Sequence, residues 1–476
     1  MERQPRRYRT YRSETSRSAA HPEPADARPQ STRQRPPGTR AQAPGTPDPS
    51  AQWFRVPDRS APPRRTSGRR WFLLAATVVL VSASAVTAAW LLLGHDAAPP
   101  VGLASPSPSV SPAPPSPSPT PSPSPSPSPS PSPVGPPAWT GPPSSKLKLE
   151  LATTISGTIS PKSVVATQTG YVFAQNMMYN HTVTVYDSET FELVKTIDDT
   201  VDLAKHGFEG EGTVRGAPVE AAVAADYDSV YVSQYSMYGP GYANPGDDDL
   251  GPGSGVDPSF VYRIGLDDLS IDEVIKVGSV PKFLAATPDG KYVLVSNWVS
   301  WDLSVIDVER GKQVKLIELG AYPRGIVVDS RSKCAYIAVM GTGNIARLRL
   351  ADFHLDWITG VGSGPRHLCI SADDRWLYVT LNAEGTVGKI DLQTRHLVNK
   401  VYSGVYTRSM AIAPDGASLY VVNYESSSVS KIRTADMKVI QEVATDWHPI
   451  GITYDAPTRT VWVACYGGTI KVFRDA

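Results

Sequence analysis

Four basic residues, Lys282, Arg324, Arg366 and Arg408, stand 42 residues apart, and Lys162 holds the same place in an earlier, longer unit. Each directly follows a proline, or Thr407 in one case, that opens a unit of sequence. Basic side chains at a fixed interval in a repeating fold are carried to one place in space. Around a narrow rim they repel one another, and low-dielectric walls focus their potential. An anionic ligand would relieve that repulsion, and arginine suits two-point binding of carboxylate or phosphate. The same spacing also fits a second arrangement, in which each arginine pairs with a carboxylate between units. Both readings stand at this level.

Other groups fall beside this arc. Gln234, Asn297 and Asn423 end apolar runs and are followed by Tyr235, Trp298 and Tyr424. Amides beside aromatic rings suit hydroxyl binding and sugar stacking, and they serve packing equally well. Val219 and Glu220 interrupt the basic arc, so Glu220 is the carboxylate expected at the rim. Glu220, His206, His367 and His448 are the candidate acid–base groups. Two long insertions, 198–216 and 236–259, map to the same side, and loops of that length are commonly functional. The second contains "GDDDLGPGSGVD", whose carboxylates lack the spacing of a calcium loop, so an exposed acidic loop is expected. No H-x-x-H or H-E-x-x-H pattern and no G-x-S-x-G elbow occurs, so neither a metal site nor a cofactor is expected.

The elements that must position these residues are legible in the repeats. "VLVSNWVSWDLSVI" (293–306), "AYIAVMGTGNIARL" (335–348), "LYVTLNAEGTVGKI" (377–390) and "LYVVNYESSSVSKI" (419–432) are four copies of one phrase. Aligned on Pro161, Pro218, Pro281, Pro323, Pro365, Thr407 and Pro449, the chain holds seven units of short alternating runs. Alternation of period two broken by turn residues reads as strand, and seven units of four strands predict a seven-bladed β-propeller. "TPDG" and "APDG" mark the turn after the first strand of a unit. The last unit lacks its fourth strand, while "KLKLELATTIS" (146–156) alternates and is unassigned, so the N-terminal strand is expected to close the last blade. In a propeller the starts of first strands and the ends of second strands share one face, which gathers the candidates at the upper mouth of the channel.

"SVIDVERGKQVKLIELGAYPRGIVV" and "APDGASLYVVN" resemble the YVTN-repeat (YncE-like) bacterial β-propellers, and the resemblance spans residues 146–476. It implies a seven-bladed propeller of the quinoprotein and lactonase-like class. It implies little about activity, because fold does not supply function.

The rest of the chain is different material. Residues 1–70 hold 16 Arg, no Lys and six acidic residues with few aliphatics, which predicts a disordered cytoplasmic tail. Residues 71–94 carry no charge and as a helix would reach roughly 36 Å, enough to cross a bilayer. Arginines crowd the N-terminal end of this run, so it reads as an uncleaved signal anchor with everything after it outside the cell. Residues 95–145 are a Ser/Pro-rich linker, within which the nearly pure Ser-Pro run 104–137 predicts a stiff spacer of roughly 100 Å. Cys334, Cys369 and Cys465 lack C-x-x-C spacing; three buried thiols, or one disulfide and one free thiol, satisfy them.

The expected function is a membrane-anchored extracellular binding module. Its partner would be an anionic or saccharide-like ligand, a cell-wall component or a protein, and not nucleic acid. The alternative is a lactonase- or lyase-like enzyme using the same mouth. A perturbed carboxylate or histidine facing the arginines would favour the enzyme.

Overall fold

A computed structural model describes residues 139–209 and 212–476. The expected tail, membrane span and all but the end of the spacer lie outside them. Among the described residues no helix is long and apolar enough to cross a membrane.

The described chain forms seven four-stranded antiparallel sheets, with helix confined to two short 3-10 turns at Ser144–Lys146 and Leu203–His206. The first strands of the blades are Ser163–Ala166, Pro218–Val223, Pro281–Ala286, Pro323–Val328, Pro365–Ile370, Thr407–Ile412 and Pro449–Asp455. Each packs against the next around the ring and the last returns to the first, so the propeller is closed. It is a seven-bladed propeller.

The period-two pattern explains the packing. The second and third strands are mostly buried, as in Tyr292–Asn297 and Asp302–Asp307, whereas the outermost strands are mostly exposed. Their side chains alternate between two neighbouring blades. Leu294, Leu303 and Val305 of blade 3 meet Ile326, Ile337 and Leu348 of blade 4 in one cluster, and comparable clusters fill the other interfaces. Each such side chain contributes about 1.5–3 kcal/mol relative to exposure. Gly290 closes the turn between the first two strands of blade 3 at φ +70°, donating its N–H to Thr287 O at 2.9 Å.

The N-terminal strand closes the last blade as expected. Leu149–Ser156 pairs antiparallel with Thr469–Asp475 from Leu149↔Asp475 to Ser156↔Thr469. A buried polar knot holds this junction. The carboxylate of Asp475 takes the ammonium of Lys431 and the hydroxyl of Tyr420, and Lys431 Nζ also donates to Leu147 O at 3.0 Å. Ser144 donates its N–H and hydroxyl to the Asp415 carboxylate, each at 2.7 Å.

Both insertions are partly built. Within 198–216, Thr200–Asp202 pairs with Thr213–Arg215. Loop 236–259 is tied by Gly246 N–H to Ser236 Oγ at 2.9 Å and Asn244 N–H to the Asp257 carboxylate at 2.7 Å. The cysteines are three free, buried thiols, and burial pushes Cys369 and Cys465 up to about 12.

Candidate functional site at the upper mouth

Backbone geometry delivers the basic residues to the mouth. The first strands of blades 2 to 7 slip register just after their opening residue. Pairing passes from Pro281↔Asn297 to Phe283↔Ser296 and leaves Lys282 outside the ladder. Arg324, Arg366 and Arg408 occupy the same bulge in blades 4, 5 and 6, and Val219 and Ile450 do so in blades 2 and 7. A bulge re-aims the side chain it releases. The residue before the opening position is left-handed at Val280, Tyr322, Tyr406 and His448, with φ between 53° and 61°. For β-branched Val280 this is an outlier, a strain held by the surrounding structure. Gly325 permits a close approach between bulges, since a Cβ there would lie 2.7 Å from Arg366 O.

Lys162, Lys282, Arg324 and Arg366 are buried, and Arg408 is half-buried. Burial lowers the pKa of all five, and neighbouring cations lower Lys162, Lys282, Arg366 and Arg408 further, whereas Glu220 and Asp248 pull Arg324 back up. Lys282 falls to about 8 despite its carboxylate partner. Two carboxylates answer the five cations. Glu220 is buried, and burial raises its pKa against the pull of Lys162 and Arg324. Asp248 descends from loop 236–259 and pairs with Lys282. Burial alone would raise Asp248, but Lys282, Tyr235 and Arg324 hold it well below the usual carboxylate range. Among the described residues no side-chain hydrogen bond or ion pair engages Arg324, Arg366, Arg408 or Lys162, and the buried Nε of Arg408 is without a partner. Within the arc Lys282 alone is ion-paired between blades; the three arginines are not.

The aromatics divide into two groups. Lys282 Nζ lies 4.9 Å from the ring centre of Tyr235 and 4.6 Å from that of Trp298. Tyr235 Oη donates to Asp248 at 2.8 Å, and Trp298 Nε1 donates to Asp248 O at 3.0 Å. On the far side, the Arg408 guanidinium sits 3.7 Å over Tyr424. Tyr424 stacks on His448 at 4.0 Å, His448 stacks on Trp447 at 3.7 Å, and Trp447 is 62 % exposed.

The structure thus brings together Lys162, Glu220, Lys282, Arg324, Arg366, Arg408, Tyr235, Trp298 and Tyr424. It does not present Asn297, Asn423 or Gln234 to the mouth. Asn297 Nδ2 donates to Asp302 Oδ1 at 2.7 Å and to Ser304 Oγ at 2.8 Å, and Asn423 makes the equivalent bonds to Ser428 and Ser430. These amides are turned into the blade and clamp its third strand, which corrects the expected ligand role. Gln234 is fully buried, with Nε2 3.5 Å from Val232 O. The acidic loop is exposed at Asp247 and Asp249, as expected, while Asp248, still partly exposed, reaches Lys282. His367 packs edge-on against Phe283, accepts from Met410 N–H at 3.0 Å through Nδ1, and is driven by burial, Arg324 and Arg366 to about 3. His206 lies apart, in a cleft of about 350 Å³ with Lys195 and Lys205. Sequence reasoning missed Asp248, because nothing in a loop's composition shows where it folds back, and it missed Trp447. A tryptophan in an otherwise polar stretch before a unit-opening proline was the available signal.

A cytochrome D1 heme domain model matches residues 365–464. No curated protein matches the chain. Among solved structures, hydrazine synthase of Kuenenia stuttgartiensis is similar, with a TM-score of 0.54 and 17 % identity over 68 % of this chain and 98 % of that one. A likeness at that identity shows the fold. The heme in the family's name requires an axial ligand. Here His448 is stacked on both faces with Nε2 3.4 Å from Glu425, and His367 Nδ1 is engaged by a backbone amide. No group of three or more His, Cys, Asp or Glu among the described residues could hold a metal ion. Both histidine rings are held by these contacts, and the buried Nδ1 of His448 is left without a partner.

Proposed function

We propose that the propeller is a binding module whose upper mouth takes an anionic ligand. The observation that carries this reading is the arc of Arg324 and Arg366, buried, and Arg408, half-buried, none with a carboxylate partner. Buried charge left uncompensated is costly, and an arrangement repeated in consecutive blades needs a counter-charge from outside the chain. Tyr424 beside Arg408 suits a ligand with a ring, such as an acidic saccharide. The repeat phrase supports kinship with the YVTN-type propellers. The uncharged run 71–94 and the Ser/Pro spacer support display of the propeller outside the cell on a single-span anchor.

Calorimetric titration of the purified chain with phosphate, succinate and uronate oligosaccharides tests the proposal. One of these classes should bind, more weakly as salt rises, and Arg324→Gln/Arg366→Gln should remove the binding. Heat signals that survive the double substitution would place the ligand elsewhere.

A second reading, an enzyme acting on the same ligand, is favoured by Glu220, a buried carboxylate of raised pKa facing Lys162 and Arg324. Such a group is a candidate general acid. Turnover of a bound ligand that stops in Glu220→Gln, with binding retained, would establish it.

A further inference from the structure

At the mouth five cations face two carboxylates, a surplus of three positive charges, and the two carboxylates are held differently. Glu220 belongs to the wall of blade 2. Asp248 is delivered by the longest insertion, the loop 236–259 that joins the second and third strands of that blade. Its carboxylate engages Lys282 and the Tyr235 hydroxyl, and its charge is also felt by Arg324, Arg366 and Arg408 across the channel. The loop is seated on the mouth by packing as well. Leu250 and Val256 lie against the cluster of Val280, Trp298, Val299 and Met340, and the Trp298 indole N–H holds the backbone of Asp248. A carboxylate of the chain itself therefore sits where a ligand's anionic group must go.

Resting on the anion-binding reading above, we infer that Asp248 is a built-in competitor which makes the mouth selective for ligands carrying two or more negative charges, such as phosphomonoesters or dicarboxylates. Replacing Asp248 by a monoanion leaves the charge balance of the mouth unchanged and forfeits the loop's packing. A free monoanion also competes against a tethered group whose effective concentration is in the millimolar range. Entering beside Asp248, the monoanion meets its like charge. A dianion gains more: it engages the unpaired arginines with one charge and replaces Asp248 on Lys282 with the other. Displacement releases the Asp248 backbone from Trp298, so occupancy of the mouth is transmitted to the loop.

The test is titration of the full-length chain and of Asp248→Asn with phosphate, succinate and acetate at one pH and salt concentration. The wild type should bind phosphate or succinate and discriminate against acetate. Asp248→Asn should bind the dianion about tenfold more tightly and accept acetate, because the tethered competitor has lost its charge. Unchanged or weaker binding of the dianion by Asp248→Asn, with the wild type binding normally, overturns the competitor and leaves the anion site standing. Absence of binding of all three anions by both proteins overturns both. Should the variant not fold, hydrogen exchange on the wild type decides: saturating dianion should speed exchange of the Gly246 amide and the Trp298 indole N–H, and slower or unchanged exchange there overturns the inference.

Discussion

His367 is the residue whose protonation is most constrained by the mouth. Burial, Arg324 and Arg366 hold it at about 3 in the native state, against 6.5 for an ordinary histidine. Between those values the unfolded chain binds a proton that the native chain refuses. His367 therefore costs no stability above about pH 6.5, and its penalty grows as pH falls towards 3. Urea denaturation of the wild type and His367→Gln across this range should show the substitution flattening that part of the acid loss. Parallel profiles would place the imidazole in contact with solvent. At this scale the sequence was informative wherever a residue sits at a fixed point of the repeat. The bulge that carries Lys282 recurs at Arg324, Arg366 and Arg408, so their convergence followed from spacing alone. The aligned amides misled because Asn297 and Asn423 are equally periodic: a repeated residue that clamps a strand and a repeated residue that faces a ligand leave the same trace. Asp248 was illegible, since its partners Tyr235, Lys282 and Trp298 lie 13, 34 and 50 residues away, fixed by a loop without a repeat.

Among the elements, the closing strand makes the most specific demand. Leu149–Ser156 was recognisable because it alternates and because the last unit was one strand short. The knot that locks it was not, since Lys431 and Asp475 come from different blades and meet only on closure. Their side chains are both fully buried, so removing one leaves an uncompensated charge in the interior. Asp475→Ala should lower stability by about 3–5 kcal/mol. A chain beginning at residue 158 should in addition expose the edge of Thr469–Asp475 and self-associate. Equilibrium denaturation and light scattering check these in turn. A monodisperse truncated chain of native stability would mean the ring does not depend on its N-terminal strand.

For the whole molecule, the Arg-rich start, the uncharged run and the Ser/Pro spacer support a propeller held outside the cell. Protease added to intact cells should then remove the propeller and spare the N-terminal tail; a protected propeller would reverse that orientation. At the mouth the fold holds charges that it does not itself neutralise. If the arginines serve a ligand, the free protein bears their cost, and relieving it should help. Arg324→Met/Arg366→Met should raise the stability of the ligand-free chain by about 1–3 kcal/mol while abolishing the response to anions. The decisive measurement is thermal unfolding of the wild type and this double variant, each with and without saturating phosphate or succinate. The account predicts a higher Tm for the free variant and an anion-induced rise in the wild type alone. A variant that melts lower than the wild type, with neither protein responding to anions, would show that the arginines hold the propeller together and that the mouth is not an anion site.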